Sequence, residues 1–456
     1  MKIDKNSNVP IYIQIYNDIV DEIKNGYFIA SQKLPSRRKL SIELDVSPQT
    51  IENAYQKLIS DGYIYSKAGS GYYVAKDRVW DEIQQIMKSR IYNFSTNGVE
   101  TSKLPFQIWS KLLQNTIKED TGLFQHGEKP GEWCLRKSIR RLLFRTQNIE
   151  CKTEQIIIGA GYEDLLREIF NLFGMKKTVI MNNYYNYHAR EAAIYENSNL
   201  KYVTNDKNGI CIDELMKFDD GVLYQEPTHD LPMASTLSET KRKELIDWVK
   251  GGEGRYIIED AGDNDFQYNK NEKTLWELSG GQNVIYIGNF SMTIAPSMKI
   301  GYIVAPLDFV KWWFDKKPFY SNKVSRIEQV TLSKFIDLGH YEKHIKYMCD
   351  IYKEKTKAIL EVVKKNPILA NKTEIFGATA GRYCNMIFDI NLDEKKVRQL
   401  CLKNGIKISA LTTCIADTKK ATLPINTYNM GYGELKISEI RDGLTLFANI
   451  FKQYFN

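Results

Sequence analysis

The apolar positions of this chain change their period along its length. In "PIYIQIYNDIVDEIKNG" (10–26), Ile11, Ile15, Ile19 and Ile23 recur every fourth residue. That spacing puts them on one face of a helix that opens with proline and closes with glycine. The stretch "LPSRRKLSIELDVSPQTIENAYQKLISDGYI" (34–64) predicts two more helices. Ser36 caps the first, and the second starts at Ser47 with Pro48 in its first position. Only "LDVS" separates them, as in a helix-turn-helix, with Leu40, Leu44, Val46, Ile51, Ala54, Tyr55 and Leu58 as the shared core. "YIYSKAGSGYYV" (63–74) then gives two strand-like runs around a glycine-rich turn, which read as a wing. Beyond a charged, weakly helical stretch the pattern changes again. Apolar runs such as "EQIIIG", "TVIMN", "LKYVT", "GVLYQEP", "RYIIEDA", "NVIYIGN" and "KIGYIVAP" alternate with helical segments. That alternation predicts a mostly parallel α/β sheet. The expected organisation is a small α+β winged helix-turn-helix domain over 1–75, an interdomain connector over 76–93 and a large α/β domain over 94–456.

Composition narrows the class without naming a function. The chain has 456 residues, 43% hydrophobic and 26% charged, ordinary values for a globular protein of two or three domains. The opening "MKIDKNSNVP" lacks the apolar run of a signal peptide, and no 18-residue apolar stretch occurs, so a cytoplasmic location with no membrane partner is expected. Seven dispersed cysteines without a C-x-x-C pair fit reduced thiols better than disulfides or zinc, and the five histidines show no metal spacing. The net charge of +7 is compatible with a polyanionic partner.

The first 75 residues carry chemistry suited to double-stranded DNA. Arg37, Arg38 and Lys39 open a helix that would cross the backbone, where cations meet phosphates. Ser47, Gln49, Thr50 and Asn53 open the next helix, where short polar side chains reach base edges in a major groove. Ser70 and Gly71 at the wing tip permit close approach to a minor groove. A three-helix protein-binding module with solvated charges would share this pattern.

The stretch 34–74, ending "GSGYYV", resembles a GntR-type winged helix-turn-helix. Arg38, Thr50, Tyr55, Gly62 and Gly71 fall on the matching positions, whereas two positions often basic in relatives are Pro48 and Asn53. The remainder resembles a fold-type I aminotransferase domain, the fold of transferases dependent on pyridoxal 5′-phosphate (PLP). The resemblance runs through "HGEKPGEWCLRKSIRRLL" (126–143), "EQIIIGAGYEDLL", "YQEPTHDLPMAS" (224–235), "RYIIEDAGDNDFQY" and "NVIYIGNFSMTIAPSMKIGYIVAP". Together these match the MocR/GabR type of transcription regulator. The resemblance implies a head-to-tail homodimer on DNA whose aminotransferase-like domain senses PLP, often with an amine.

The same resemblance locates a changed cofactor pocket. "GNFSM" (288–292) ends in Met292 where the family has the lysine that forms a Schiff base with PLP. A thioether makes no imine, so Met292 is expected to fill the vacated space as an apolar side chain. Asp260 matches the partner of the PLP pyridinium nitrogen, although "EDAGDND" also reads as an ordinary acidic loop. Gly262 replaces a tyrosine, Glu163 stands near the phosphate position, and Asn289 replaces a threonine beside Ser291. Lys299 replaces the phosphate-binding arginine, keeping the charge but not the fork. Asn429 falls about where an arginine clamps a substrate carboxylate. The set Asn182, Tyr184, Tyr185, Tyr187, His188 and His229 offers further lining for the old cleft.

The expected function is therefore a DNA-binding regulator with a dimerisation and sensor body that is no longer an enzyme. No Schiff-base cofactor is expected, and PLP would bind only non-covalently. A small-molecule effector is a further expected partner. Two alternatives stand beside it: a PLP-responsive regulator or residual aminotransferase, and a ligand-independent repressor whose large domain only sets the spacing of two heads.

Overall fold

The computed structural model describes residues 7, 9–24, 28, 31–67, 69–75, 91–175, 177–206, 209–268 and 272–455. The chain divides into two compact units, Met1–Ile91 and Tyr92–Asn456. Positions 76–90 of the expected connector lie outside the described residues. Its last two residues do not connect anything: Tyr92–Asn93 is a strand of the large unit, paired in parallel with Ile406–Lys407.

In the head, helices Ile11–Lys24, Arg37–Leu44 and Pro48–Ser60 enclose one apolar core. Ile15, Ile19, Ile23, Leu40, Ile51, Ala54, Tyr55 and Leu58 are buried, while Leu44 and Val46 pack against them half-exposed. The caps follow from the side chains available. Ser36 accepts from the Lys39 amide and Ser47 from the Thr50 amide, each worth about 1 kcal/mol. Asp45, at φ 51°, turns the chain between the two helices. The wing strands Ile64–Lys67 and Gly71–Val74 pair antiparallel. A third segment, not apparent from periodicity, lies along them: the amides of Ser31 and Leu34 donate to the carbonyls of Val74 and Tyr72.

The large unit is built on a seven-stranded sheet. Its order is Ile156–Gly159, Gly301–Val304, Val284–Asn289, Arg255–Asp260, Gly221–Gln225, Thr178–Asn182 and Asn199–Val203. Gly301–Val304 runs antiparallel to both neighbours, and the other pairings are parallel. Apart from the edge strand Asn199–Val203, which alternates exposed and half-buried positions, the strands are buried on both faces, which is why their sequences read as apolar runs. The period of two appears in the packing instead. Ile156 and Ile158 join one apolar cluster and Ile157 the other; Ile257 and Ile258 divide likewise, as do Tyr286 and its neighbours Ile285 and Ile287. A second, antiparallel sheet orders Thr373–Phe376, Tyr383–Phe388, Thr427–Gly431 and Ser409–Ala410. Among the described residues no helix is long and apolar enough to cross a membrane. No group of three His, Cys, Asp or Glu side chains among them is arranged to hold a metal, and the seven cysteines are free thiols.

Candidate functional site

The head presents a polar face because its second and third helices bury the opposite one. On Pro48–Ser60 the buried positions are Ile51, Ala54, Tyr55 and Leu58, leaving Pro48, Gln49, Asn53, Gln56 and Ser60 exposed. Gln49 Nε2 donates to Asn53 Oδ1 at 3.1 Å, and the Ser47 and Thr50 hydroxyls lie 2.8 Å apart. The three cations expected to meet phosphate are not equivalent. Arg38 is exposed and has no carboxylate partner among the described residues. Lys39 approaches Glu43 at 3.7 Å. Arg37 is engaged by Glu52, which also accepts from Gln56 Nε2 at 2.8 Å. At the wing, Ser70 Oγ lies 2.6 Å from the Tyr73 hydroxyl. A Cβ on Gly71, at φ 116°, would meet the Lys33 side chain at 3.1 Å, so Lys33 sits beside the wing tip as a cation that sequence reading passed over.

In the body, the carboxyl ends of the sheet strands open onto a cavity of about 590 Å³. This is where open α/β sheets place their ligands, because the following loops diverge there. Glu163, His188, His229, Asp260, Asn289, Ser291, Met292 and Lys299 all line it. The "GNFSM" corner is held by backbone and hydroxyl groups. Met292 N donates to Asn289 Oδ1 at 3.1 Å, and Ser291 Oγ donates to Met298 O at 2.6 Å. Gly288 is required there, since a Cβ would lie 2.4 Å from the Tyr302 ring. Met292 does not fill the cavity as expected. It is half-buried in the wall, with the open volume beside it.

The buried Asp260 and the half-buried Glu226 lead the electrostatics. Asp260 accepts from the Tyr224 hydroxyl and, at 2.9 Å, from the Gly262 amide. Burial raises its pKa against those hydrogen bonds. Glu226 accepts from Asn186 Nδ2 and from the Leu231 amide, both at 2.9 Å. Burial, together with Asp260 and Asp230, holds Glu226 well above the usual carboxylate range. Burial also pushes Asp230 up to about 6, opposed by the Ser235 hydroxyl and amide. Asp263 behaves oppositely. Burial acts upward on it, but Arg382 at 3.2 Å and His229 at 2.9 Å bring it below its ordinary value. At the rim, His188 lies 2.9 Å from Glu163, and burial lowers the His188 pKa against that attraction.

Several expected lining residues lie elsewhere. Asn429 is not on the cavity wall: it is buried in the small sheet, and its amide donates to Pro232 O at 2.7 Å and Asn385 Oδ1 at 2.6 Å. Two arginines line the cavity, Arg167 and Arg382, and Arg382 also donates to Gly98 O at 3.2 Å. Asn182, Tyr184, Tyr185 and Tyr187 do not line it. The Tyr184 hydroxyl accepts from the Thr422 and Leu423 amides, and Tyr187 donates to Asn97. Sequence reading missed Glu226, Asp263 and Arg382. The only signal for Glu226 was an acid directly after the apolar run "GVLYQ"; nothing local marks Arg382.

Residues 11–74 match the family described as bacterial regulatory proteins, gntR family. Over its whole length the chain is similar to an HTH-type transcriptional regulator of Bacillus subtilis (strain 168), YdeL, described as uncharacterized. That similarity is 28% identity covering 97% of each chain. It is also 21% identical to the probable rhizopine catabolism regulatory protein MocR of Rhizobium meliloti, covering 98% of this chain and 95% of that one. Among solved structures, the multiple substrate aminotransferase of Thermococcus profundus superposes with a TM-score of 0.72 at 18% identity, over 83% of this chain and 96% of that one. An archaeal alanine:glyoxylate aminotransferase gives 0.73 at 20% identity, over 82% and 94%. The large unit therefore has the fold-type I aminotransferase fold.

Proposed function

We propose that this full-length homologue of MocR-type regulators, a GntR-type head on an aminotransferase-fold body, is a cytoplasmic DNA-binding transcription regulator whose body dimerises and senses a small molecule without a Schiff base. The observation that carries the reading is the coincidence of the gntR match over 11–74 with a winged helix-turn-helix whose helix Pro48–Ser60 exposes only polar side chains and proline. Arg38, Lys39 and Lys33 supply phosphate contacts around that helix.

PLP is a poor fit to the body cavity. The imine position is Met292. Glu163 and Asp164 occupy the first turn of helix Tyr162–Phe173, the place where a helix terminus would otherwise welcome a phosphate. No step of transamination is assigned to these residues, and the chain is read as non-enzymatic. An open cavity with buried titratable groups favours a sensor over a purely structural body. The carboxyl groups of Glu163, Asp164, Glu226, Asp260 and Asp263 outnumber the cations Arg167, Lys299 and Arg382 on the cavity wall, which favours an effector bringing a cationic nitrogen over one bringing a phosphate.

The test is gel-shift titration of the purified full-length protein on its own upstream region and on shuffled DNA, with an absorbance scan of the same protein plus PLP. Preference for the upstream region, and no band near ~420 nm from an internal aldimine, are expected. Equal binding to both DNAs at low salt would refute the regulator reading. A borohydride-trapped PLP adduct inside the cavity would refute the loss of PLP chemistry.

A further inference from the structure

The outer face of the reading helix is unusual in what it lacks. Gln49, Asn53 and Gln56 recur at i, i+4 and i+7 and are all exposed, so the outermost stripe is made of amides. Pro48 and the half-buried Thr50 add apolar surface at its start. Lys57 is the first cation on the helix, and it reaches Asp61 in the following turn at 3.2 Å. The one acid, Glu52, is already engaged by Arg37 and Gln56.

Base edges in a major groove distinguish these chemistries. Guanine offers two acceptors and is matched by the donor pair of arginine or lysine. Cytosine offers a donor and calls for a free carboxylate. Adenine offers one acceptor and one donor, which an amide complements. The hydrogen bond from Gln49 Nε2 to Asn53 Oδ1 at 3.1 Å holds the two amides in register. It leaves Gln49 Oε1 free to accept and Asn53 Nδ2 free to donate, the complement of an adenine edge.

We propose that this helix selects adenine·thymine pairs, with Gln49 and Asn53 reading adenine and Pro48 and the Thr50 methyl packing against thymine methyl groups. This rests on the DNA-binding reading above and specifies its partner: duplexes whose contacted half-sites are rich in A·T. Arg38 and the wing cations position the head but leave sequence choice to the amides.

The experiment is selection of random-sequence duplexes by the full-length protein, repeated with Gln49→Ala, Asn53→Ala and Gln49→Arg. All three changes are at exposed positions, and circular dichroism checks that the fold is kept. The parent should enrich A·T at the positions that depend on Gln49 and Asn53. Exchange of one such pair for G·C should weaken binding about 5- to 150-fold. Both alanine variants should lose preference at the adenine the two amides share, and Gln49→Arg should turn that position to G·C. If the enriched motif has G·C at those positions, or if neither alanine variant changes any preference, the inference is wrong while DNA binding stands. Retention of no duplex at all would overturn both.

Discussion

Asp260 shows how burial sets the character of a carboxyl group. It ends a central strand and lines the body cavity together with Glu226 and Met292. Burial raises the pKa of both carboxyl groups. A carboxyl whose folded pKa exceeds its unfolded value contributes stability that is complete below the unfolded pKa and is lost as pH rises through the folded one. Asp230, pushed up to about 6, and Glu259, pushed by burial up to about 7, act in the same direction, each over its own range from the ordinary carboxylate value upward. Asp260→Asn removes one of these ionisations without changing shape, since the Tyr224 hydroxyl can turn to accept from the new amide. The unfolding midpoint of the variant relative to the parent should therefore rise with pH. It should be near zero or negative at pH 5 and positive by about 2 °C at pH 8. A variant less stable than the parent at pH 8 would mean that Asp260 is ionised and paired in the free protein. None of this was visible in the sequence beyond the acids themselves, because a carboxyl's environment depends on which loops converge on it.

At the scale of elements, the legible and the illegible divide by range. The helix caps at Ser36 and Ser47, the wing and every strand of the large sheet follow from local pattern, because capping side chains and apolar runs act within a few residues. The placements that failed are long-range. Arg382 immediately precedes the strand Tyr383–Phe388, and Asn429 lies inside the strand paired with it; Arg382 lines the cavity and Asn429 is buried within the sheet. Arg37 is a similar case: three consecutive cations look alike until Glu52, fifteen residues on, is seen to take one of them. This makes the basic cluster unequal in a measurable way. Arg38→Ala should lower the salt slope of DNA binding by about one unit, as expected for one phosphate contact. Arg37→Ala should weaken binding for a different reason, by freeing a carboxylate beside a polyanion. Adding Glu52→Gln to Arg37→Ala should then recover part of the loss. Equal slopes for Arg38→Ala and the parent would remove Arg38 from the phosphate contacts. No recovery in the double variant would mean that Arg37 itself touches DNA.

For the whole molecule the open question is assembly. One winged head buries only about 600–1,000 Å² on DNA, too little for strong selectivity by itself. Two heads on one scaffold gain from effective concentration, by roughly 10²- to 10⁴-fold. The body carries apolar side chains in keeping with such a scaffold. Phe106 and Phe124 are each 70% exposed, and Ile108, Ile117, Trp133 and Phe144 are also exposed within the same run of helices. These side chains are the candidates for an association face, and the test is whether they act together. A contact of this sort does not depend on anything bound in the body cavity. A homodimer is therefore expected in solution at micromolar concentration without ligand, binding an operator with two half-elements. Phe106→Asp combined with Phe124→Asp should shift sedimentation to the monomer. Affinity for the two-element operator should drop toward that for a single element, while affinity for the single element stays unchanged. Shortening the connector over 76–90 should do the opposite, weakening operator binding while leaving the sedimenting species dimeric. An unaltered parent that sediments as a monomer and protects only one half-element would remove the dimer from the mechanism. A dimer that persists in the double aspartate variant would move the interface to another face of the body.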